Sequence, residues 1–160
     1  MNWRVLQSKI GFARSVKLMN TFAPFVGAGI AVHSVDPDER ALEVTLTMRW
    51  FNRNFAGIHF GGSLYAMCDP FFAMLLMNKL GSEYVALDKS SRIDFRRPGR
   101  GVVRARFAIT DADVETARSE VASRGKCDLS FETIVIGPDD EVVARVYKVV
   151  NVRRVAVGHP

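Results

Sequence analysis

Cysteine and long apolar runs are scarce in this sequence, and each scarcity excludes a class of protein. Its two cysteines, Cys68 and Cys127, are too few for a disulfide framework and lack the spacing of a metal site. No uninterrupted run of about 18 apolar residues exists, so we expect no transmembrane segment. With 160 residues of ordinary globular composition, the chain is expected to form one domain over residues 1–160 in the reducing cytoplasm, without a metal or cofactor.

Positive charge is what the sequence has in excess, with 22 lysines and arginines against 17 acidic residues. This excess suits nucleic acid, an anionic membrane surface or the phosphates of a nucleotide-bearing ligand, and charge alone does not choose among them. Arginines crowd one strand–turn–strand segment: Arg92, Arg96, Arg97, Arg100, Arg104 and Arg106. They form either a solvated sheet face or a clamp for phosphates; nucleic acid is disfavoured because the segment lacks exposed aromatics for base stacking.

Hydrophobic periodicity predicts an α+β fold rich in strands. The chain begins with an amphipathic helix over residues 3–19, followed by a loop over residues 20–29. A second, shorter helix is predicted over residues 111–124, with Asp111 as its cap. The predicted strands are residues 30–35, 41–48, 86–95, 101–109, 127–136 and 142–152.

A different pattern, apolar on every side, runs through residues 61–80 and predicts one long helix that is buried all round. Gly81 is expected to end this helix, and Pro70 to kink it because proline has no N–H to donate. Too few other helices remain to cover it, so a curved antiparallel sheet must wrap around it. Such a sheet has open edges that favour pairing with a second copy, and we therefore expect a homodimer.

One short motif leads into this helix and carries the chemistry. Asn54, Gly57, Gly61, Gly62 and Asp69 match, in type and spacing, the pattern N-x-x-G-x-x-H-G-G with an acidic residue seven positions further on. In this motif the sequence resembles the hotdog-fold thioesterases, particularly the phenylacetyl-CoA thioesterase type, and shorter stretches resemble an uncharacterised thioesterase-related subfamily. The resemblance implies a hotdog fold, a site at the interface of a homodimer or tetramer, and a thioester carried by coenzyme A or by an acyl-carrier protein.

The residue types of this motif suit thioester hydrolysis on physical grounds as well. Gly61 and Gly62 leave N–H groups unpaired at a helix start, where they polarise a carbonyl and stabilise an oxyanion. Asp69, among apolar neighbours, is expected to act as general base or nucleophile, with Asn54 orienting water or the carbonyl. Less specific interpretations stay open: a tight turn for the glycines, a carboxylate that stabilises the kink for Asp69, and a turn residue for Asn54.

One position departs from the thioesterase pattern. Phe60 stands where the pattern has histidine, and His59 lies one residue earlier, where its side chain is expected to point elsewhere. Lys89 and Lys148 fall on strand faces that otherwise look inward, so they either reach out at the strand ends or line the ligand channel. The residues expected to bind substrate are Gly57, His59, Phe60, Ser63, Lys89, Arg97 and Arg100.

The sequence therefore predicts an acyl-CoA thioesterase in which Asp69 is the central catalytic residue. The alternative is a non-catalytic acyl-CoA-binding hotdog protein, which the replacement of the histidine by Phe60 favours. A basic module that binds membrane surfaces or nucleic acid is a third and weaker interpretation. A hotdog dehydratase is disfavoured because that activity would need the missing histidine.

Overall fold

The computed structural model describes residues 3–155, with side chains from residue 6 onward. Its helices are α1 Trp3–Ile10, α2 Phe12–Leu18, α3 Ala23–Ala28, α4 Gly61–Ala66, α5 Phe71–Leu80 and α6 Asp111–Arg124, with a 3-10 turn at Met19–Thr21. Its strands are β1 Ile30–Val35, β2 Ala41–Thr47, β3 Tyr84–Phe95, β4 Val102–Ala108, β5 Lys126–Ile136 and β6 Val142–Arg154. They form one antiparallel sheet in the order β1-β2-β4-β5-β6-β3, so β1 and β3 are its edges.

The predicted fold class is confirmed, because the sheet and the central helical segment share one core. The ring of Phe71 on α5 lies 5.2 Å from that of Phe107 on β4, and Phe72 stacks on Phe131 of β5 at 4.6 Å. Phe71, Phe72 and Phe107 belong to a single cluster of buried apolar side chains contributed by the sheet and by α2 to α6, and the partly buried Phe131 packs against this cluster. Burial of aromatic surface on this scale is the main term that holds such a fold together.

The N-terminal part differs from its prediction at two glycines. The helix predicted over residues 3–19 is divided into α1 and α2 by Gly11, whose φ of 81° is incompatible with a continuous helix. The loop predicted over residues 20–29 is wrong, since α3 forms there with Pro24 in its first turn, where the missing N–H has no helical partner to lose. Helix α3 ends at Gly29 in the left-handed conformation.

The central helical segment, predicted as one helix over residues 61–80, is interrupted where the sequence predicts a kink. Helix α4 closes with the N–H groups of Cys68 and Asp69, which donate to carbonyls three residues earlier at 3.0 and 3.2 Å. Pro70 has no N–H to continue the helical ladder, and α5 begins at Phe71. The interruption removes Asp69 from the regular helix and turns its side chain toward the edge of the core.

Strand β3 contains a bulge that decides which of its side chains face the core. Asp88 and Ser90 pair with consecutive residues of β6, which leaves Lys89 as an extra residue on β3. Unbroken alternation, which the sequence predicts, would turn Leu87 and Lys89 inward. That prediction is wrong for both, because they are exposed, whereas Asp88 and Ser91 face the core on either side of the bulge.

Helix α6 has its predicted bounds but a different cap. Thr110, rather than Asp111, caps the helix: its hydroxyl accepts the Asp113 N–H at 3.1 Å, and its own N–H donates to the Asp113 carboxylate at 2.7 Å. Asp111 forms an ion pair with Arg40 instead. Within residues 3–155, no helix combines the length and the apolar character that crossing a bilayer requires.

Candidate functional site

Asp69 lies in the turn between α4 and α5, where its carboxylate reaches solvent. Its side chain is 52% exposed, whereas Met67 and Cys68 immediately before it are fully buried. Burial raises the pKa of the Cys68 thiol to about 12, so this thiol is not a nucleophile at neutral pH. Asp69 is therefore the reactive group that the central segment presents at the surface.

A buried lysine stands behind Asp69. Lys148 on β6 is only 2% exposed, and its Nζ donates a hydrogen bond to Oδ2 of Asp88 on β3. The same Nζ lies 3.7 Å from Oδ1 of Asp69 and 5.4 Å from the centroid of the Tyr65 ring on α4. One ammonium group thus joins the central segment to two strands of the sheet.

The pKa of the Asp69 carboxyl is raised above its ordinary value. Burial of one side of the group is the largest cause, and a hydrogen bond shared with the Asp88 carboxyl is the second. The positive charge of Lys148 lowers the pKa of Asp69 and so opposes both effects. A carboxyl that holds its proton more tightly than an ordinary aspartate is a stronger base when ionised, as general-base catalysis requires.

Two buried polar atoms beside Lys148 have no hydrogen-bond partner within residues 3–155. They are Oδ1 of Asp88 and Oγ of Ser91. Ser91 is the direct partner of Lys148 in the β3–β6 ladder, so both side chains lie on the inner face of the sheet. Buried polar atoms are ordinarily paired, so this acceptor and this hydroxyl are available to a ligand or a water. Asp69, Asp88, Ser91 and Lys148 are called the inner cluster below.

Gly61 and Gly62 begin α4, as the motif predicts. Within residues 3–155 neither N–H has a hydrogen-bond acceptor, and Phe60 at the N-cap offers no side-chain cap. A Cβ atom at Gly61 would lie 3.1 Å from the ring of Phe95, and one at Gly62 would clash with the ring of Phe60. The two glycines therefore allow aromatic rings to pack closely against the start of the helix.

His59 is buried in the loop before α4 and contacts the β3–β4 connection. Its Nε2 lies 3.1 Å from the carbonyl oxygen of Gly101, and its backbone N–H donates to the Gly99 carbonyl at 3.0 Å. Burial lowers the pKa of His59, and the hydrogen bond to Gly101 offsets part of this effect. The imidazole is therefore neutral at neutral pH and belongs to the loop rather than to the inner cluster.

Asn54 and Gly57 organise the same loop. The Asn54 side-chain oxygen accepts the N–H groups of Ala56 at 2.9 Å and Ile58 at 3.2 Å, which is the geometry of an Asx turn. Gly57 follows with φ of 70°, and its carbonyl accepts a hydrogen bond from Arg100 at 3.2 Å. The structure thus brings Asn54, Gly57 and Arg100 together, while no hydrogen bond within residues 3–155 links them to Asp69.

Most of the arginine cluster is bound to carboxylates of the sheet and its turns. The ion pairs join Arg92 and Arg96 to Asp94, Arg104 to Asp140, and Arg106 to Asp36. Arg97 is exposed and has no ion pair within residues 3–155, and Arg100 binds only the Gly57 carbonyl. Of the clamp that the sequence predicts, these two guanidinium groups are therefore free to meet phosphates.

Sequence reasoning missed Asp88 because it assumed unbroken alternation along β3, which turns Asp88 outward. It placed Ser91 on the inner face but gave this residue no role in the site. Lys148 carried the usable signal: it interrupts an apolar face, and a buried ammonium needs a carboxylate on a neighbouring strand. Lys89, predicted to line the substrate channel, lies on the outer face and donates to Asp128. Ser63 is buried in the first turns of α4.

Several solved structures share this fold. A protein of unknown function from Pseudomonas aeruginosa, described as a probable thioesterase, has a TM-score of 0.75 at 20% identity, covering 88% of this chain and 93% of its own. A Haemophilus influenzae thioesterase has a TM-score of 0.70 at 13% identity, covering 92% and 94%. The E. coli PaaI protein, from the phenylacetic acid degradation operon, has a TM-score of 0.60 at 20% identity, covering 88% and 91%. These similarities confirm the hotdog fold and the resemblance to hotdog-fold thioesterases.

The sequence comparisons identify a family and no characterised relative. No sequence among the curated proteins matches this one significantly. The model of a family described as Domain of unknown function (DUF4442) matches residues 12–152. Because this match spans most of the 160 residues, the chain belongs to the DUF4442 family. The description of the family names no activity.

Proposed function

As a DUF4442 protein with a hotdog fold, this chain is, we propose, an acyl-CoA thioesterase. One observation carries the proposal: Asp69 stands half exposed in the turn between α4 and α5, with a raised pKa and the buried ammonium of Lys148 behind it. A base of this kind in an open turn suits hydrolysis. The similar structures described as thioesterases support the class of reaction.

In the proposed reaction, Asp69 takes a proton from a water molecule whose oxygen attacks the carbonyl carbon of the thioester. The carbonyl oxygen becomes an oxyanion, and its collapse breaks the C–S bond. The leaving thiolate of coenzyme A then recovers the proton from Asp69, which returns the carboxylate to its starting state. Direct attack by the Asp69 carboxylate, followed by hydrolysis of the resulting anhydride, is the other form of the same chemistry.

The N–H groups of Gly61 and Gly62 are the proposed oxyanion donors. Both are unpaired within residues 3–155, and an oxyanion donor contributes roughly 3 kcal/mol to the transition state. Asn54 is proposed to orient the water or the carbonyl. Its side-chain oxygen is used by the loop, so the amide NH₂ is the group available for this role.

The spacing of these groups supports a homodimer. Gly61 begins α4, whereas Asp69 lies in the turn beyond its end, so the length of the helix, about 9 Å at the helical rise per residue, separates them. An oxyanion donor and a base acting through one water must both lie about 3 Å from the atoms they serve, which two groups facing each other across an interface achieve more readily than two groups at opposite ends of one helix. We expect the donor and the base of each site to come from two copies.

Edge strand β3 and the exposed aromatics near α4 suit an interface between copies. Strand β3 has no partner on its outer edge within residues 3–155. Among the side chains that the structure describes, residues 6–155, the aromatic ones exposed by more than half are those of Phe22, Trp50, Phe51, Phe55, Phe60 and Phe95. Four of them lie in the loop between β2 and α4, where an exposed apolar patch favours association into a dimer, or a tetramer of dimers.

Arg97 and Arg100 are the proposed binding groups for the phosphates of coenzyme A. Their guanidinium groups are not paired with carboxylates within residues 3–155, and both lie in the connection that contacts the loop before α4. An acyl-carrier protein, whose thioester arm also carries a phosphate, is the other carrier consistent with these residues. The reducing cytoplasm is the proposed location, given two free, buried cysteines.

A non-catalytic acyl-CoA-binding protein is the second candidate, and Phe60 is the observation that favours it. Its ring packs against Gly62, next to the N–H groups that an oxyanion would need. A substrate carbonyl would have to share this space with the ring. In this alternative the arginines and the interior retain an acyl-CoA that is bound but not cleaved.

Release of free thiol from short, medium, long and aromatic acyl-CoAs tests the proposed function. We expect turnover by the wild type and a loss of about 10²-fold or more in Asp69→Asn, because the variant cannot accept a proton from water. Asp128→Asn is the matched control, since Asp128 is also an aspartate paired with a lysine but lies on the outer face.

Binding measured on the same panel separates the two candidates. Turnover that survives in Asp69→Asn would remove this residue from the mechanism. Acyl-CoA binding without turnover in the wild type would contradict the thioesterase and favour the binding protein. Circular dichroism of each variant shows whether a loss of turnover comes from loss of fold.

A further inference from the structure

The inner cluster contains a charge that an ordinary sheet interior would not tolerate. Lys148 is 2% exposed on a face of β6 whose neighbouring side chains Val146 and Val150 are fully buried. A buried ammonium is costly unless it is paired and hydrogen-bonded, so its partners define its purpose. Within residues 3–155, the carboxylates within 4.0 Å of its Nζ are those of Asp69 and Asp88.

These two carboxylates are held differently. The Asp88 side chain is 19% exposed and accepts a hydrogen bond from Lys148, so it anchors the ammonium to β3. The Asp69 side chain is 52% exposed and its nearest oxygen is 3.7 Å from Nζ, beyond hydrogen-bond distance. Lys148 therefore acts on Asp69 as a nearby charge and does not itself tie up an Asp69 oxygen with a hydrogen bond.

The groups that face Asp69 act on it in opposite senses. Lys148 from β6 favours the ionised carboxylate, whereas Asp88 from β3 disfavours it through its own charge and through a shared hydrogen bond. Tyr65 from α4 presents its ring to Lys148. Without Lys148, burial and Asp88 would together raise the pKa of Asp69 further.

We propose that Lys148, anchored by Asp88, is a positioning residue that holds the Asp69 carboxylate in its ionised form at the mouth of the site. This inference rests on the proposed function, in which Asp69 is the base. It adds that Lys148 and Asp88 set the charge state of Asp69, on which the reaction depends. Neither residue belongs to the glycine–aspartate motif. Lys148 contacts the base and not the reacting atoms.

A titration of Asp69 that does not depend on turnover tests this proposal. The side-chain carboxyl carbon of Asp69, assigned with the Asp69→Asn variant, is followed by ¹³C NMR against pH. Asp88→Asn should lower the pH midpoint of the Asp69 titration, because the variant removes the opposing carboxylate and keeps the ammonium group of Lys148. Adding Lys148→Met to Asp88→Asn should raise the midpoint again, because the ammonium is then lost. Neither variant leaves an unpaired buried carboxylate at position 88, so both are expected to fold.

The acid limb of the pH profile of kcat/KM should move in the same directions as the midpoint of Asp69. Lys89→Met removes a lysine of the outer face. This variant should leave the titration midpoint of Asp69 and the acid limb of the kcat/KM profile at their wild-type positions. Equal midpoints in Asp88→Asn and in the double variant would overturn the proposal, as would a higher midpoint in Asp88→Asn. If the titration midpoints of Asp69 moved as expected but the protein showed no turnover, the proposed thioesterase function would be contradicted. The effect of Lys148 on the ionisation of Asp69 would still stand.

Discussion

Two adjacent residues of β3, Asp88 and Lys89, take part in charge clusters of opposite character. Asp88 faces inward and joins the inner cluster with Lys148 and Asp69. Lys89 faces outward and donates to Asp128 on β5, which also accepts a hydrogen bond from Asn151 at 2.6 Å. Lys89, Asp128 and Asn151 are called the outer cluster. The bulge at Lys89 separates the two.

The two clusters use the same chemistry, yet the pKa values of their aspartates move in opposite directions. Hydrogen bonds from Lys89 and Asn151 lower the pKa of Asp128, whereas burial raises that of Asp69 even though an ammonium lies nearby. The lysines differ accordingly: the side chain of Lys148 is 1% exposed and that of Lys89 is 56% exposed. Burial, rather than pairing with lysine, therefore decides whether a carboxylate becomes a stronger base.

The largest expected difference between the clusters is in stability. Lys148→Met should lower the free energy of unfolding by about 3–5 kcal/mol, because it leaves the buried Asp88 carboxylate without its cation. Lys89→Met should have little effect, because solvent already screens the exposed pair. Urea denaturation at neutral pH, followed by circular dichroism, measures both.

The double variant Asp88→Asn/Lys148→Met is the control for this comparison. It removes both charges of the buried pair, and its stability should be closer to that of the wild type than that of Lys148→Met alone. If the single and double variants were equally unstable, lost packing of the lysine stem rather than an orphaned charge would explain the effect.

The strands and the start of the central helical segment could be predicted from the sequence. Alternation of apolar residues located all six strands within a few residues, because one face of each strand is buried and the period of two is preserved. The helix start at Gly61 followed from the motif, whereas Asp69, expected within the helix, lies in the turn between α4 and α5. The interruption at Pro70 was expected as a kink, and its full extent depends on how α5 packs inside the sheet.

The inner cluster could not be assembled from the sequence because the bulge is not encoded in residue periodicity. From Leu87 to Ser91 the strand is mainly polar, so shifting the inward face by one residue leaves no apolar pattern to reveal the change. The register is fixed by pairing with β6, a contact between distant parts of the chain. Lys148 was recognised as inward-facing, but its partner Asp88 was assigned to the wrong face.

Deleting Lys89 breaks the outer cluster while preserving the inner one. Since Asp88 and Ser90 already pair with consecutive residues of β6, the shortened strand would keep Asp88 and Ser91 on the inner face. We expect a folded protein with turnover close to that of the wild type and a stability loss on the order of 1 kcal/mol from the altered twist. Thiol release and urea denaturation check both expectations.

Deleting Ser90 instead provides the matched variant that keeps the lysine. Lys89 then takes the ladder position opposite Val149, so Asp88 and Ser91 again stay on the inner face. Loss of turnover in both deletion variants would show that the bulge itself is needed for the site and would contradict the expectation.

The pKa values of Asp69 and Asp128 are shifted in opposite directions. Replacing each aspartate with neutral asparagine should therefore change the stability of the fold in opposite directions. The depressed pKa of Asp128 means that its pairing stabilises the fold at neutral pH and that this contribution is lost in acid. The raised pKa of Asp69 means that its ionised form opposes folding at neutral pH and that this penalty disappears as the pH falls toward the ordinary aspartate value. At neutral pH, Asp128→Asn should therefore lower the free energy of unfolding and Asp69→Asn should raise it.

Urea denaturation from about pH 7 down to about pH 2 measures this pair of effects. The difference between the wild type and Asp69→Asn should disappear as the pH falls to the ordinary aspartate value. The difference between the wild type and Asp128→Asn should persist to that value and disappear only below it, as the pH falls through the depressed pKa of Asp128. If Asp69→Asn lowered the free energy of unfolding at neutral pH, as Asp128→Asn is expected to do, the assignment of Asp69 as a destabilised, reactive carboxylate would be contradicted.

Salt should produce the smallest difference between the two clusters. About 1 M NaCl shortens the screening length to roughly 3 Å, which weakens attraction between solvent-exposed charges but reaches a buried pair much less. The stability difference between the wild type and Lys89→Met should therefore shrink in salt, while that between the wild type and Lys148→Met persists. Denaturation curves of the three proteins at low and high salt measure this. If salt reduced the stability difference between the wild type and Lys148→Met as much as it reduced that for Lys89→Met, water and ions would have to reach the inner cluster. Burial would then no longer explain the raised pKa of Asp69.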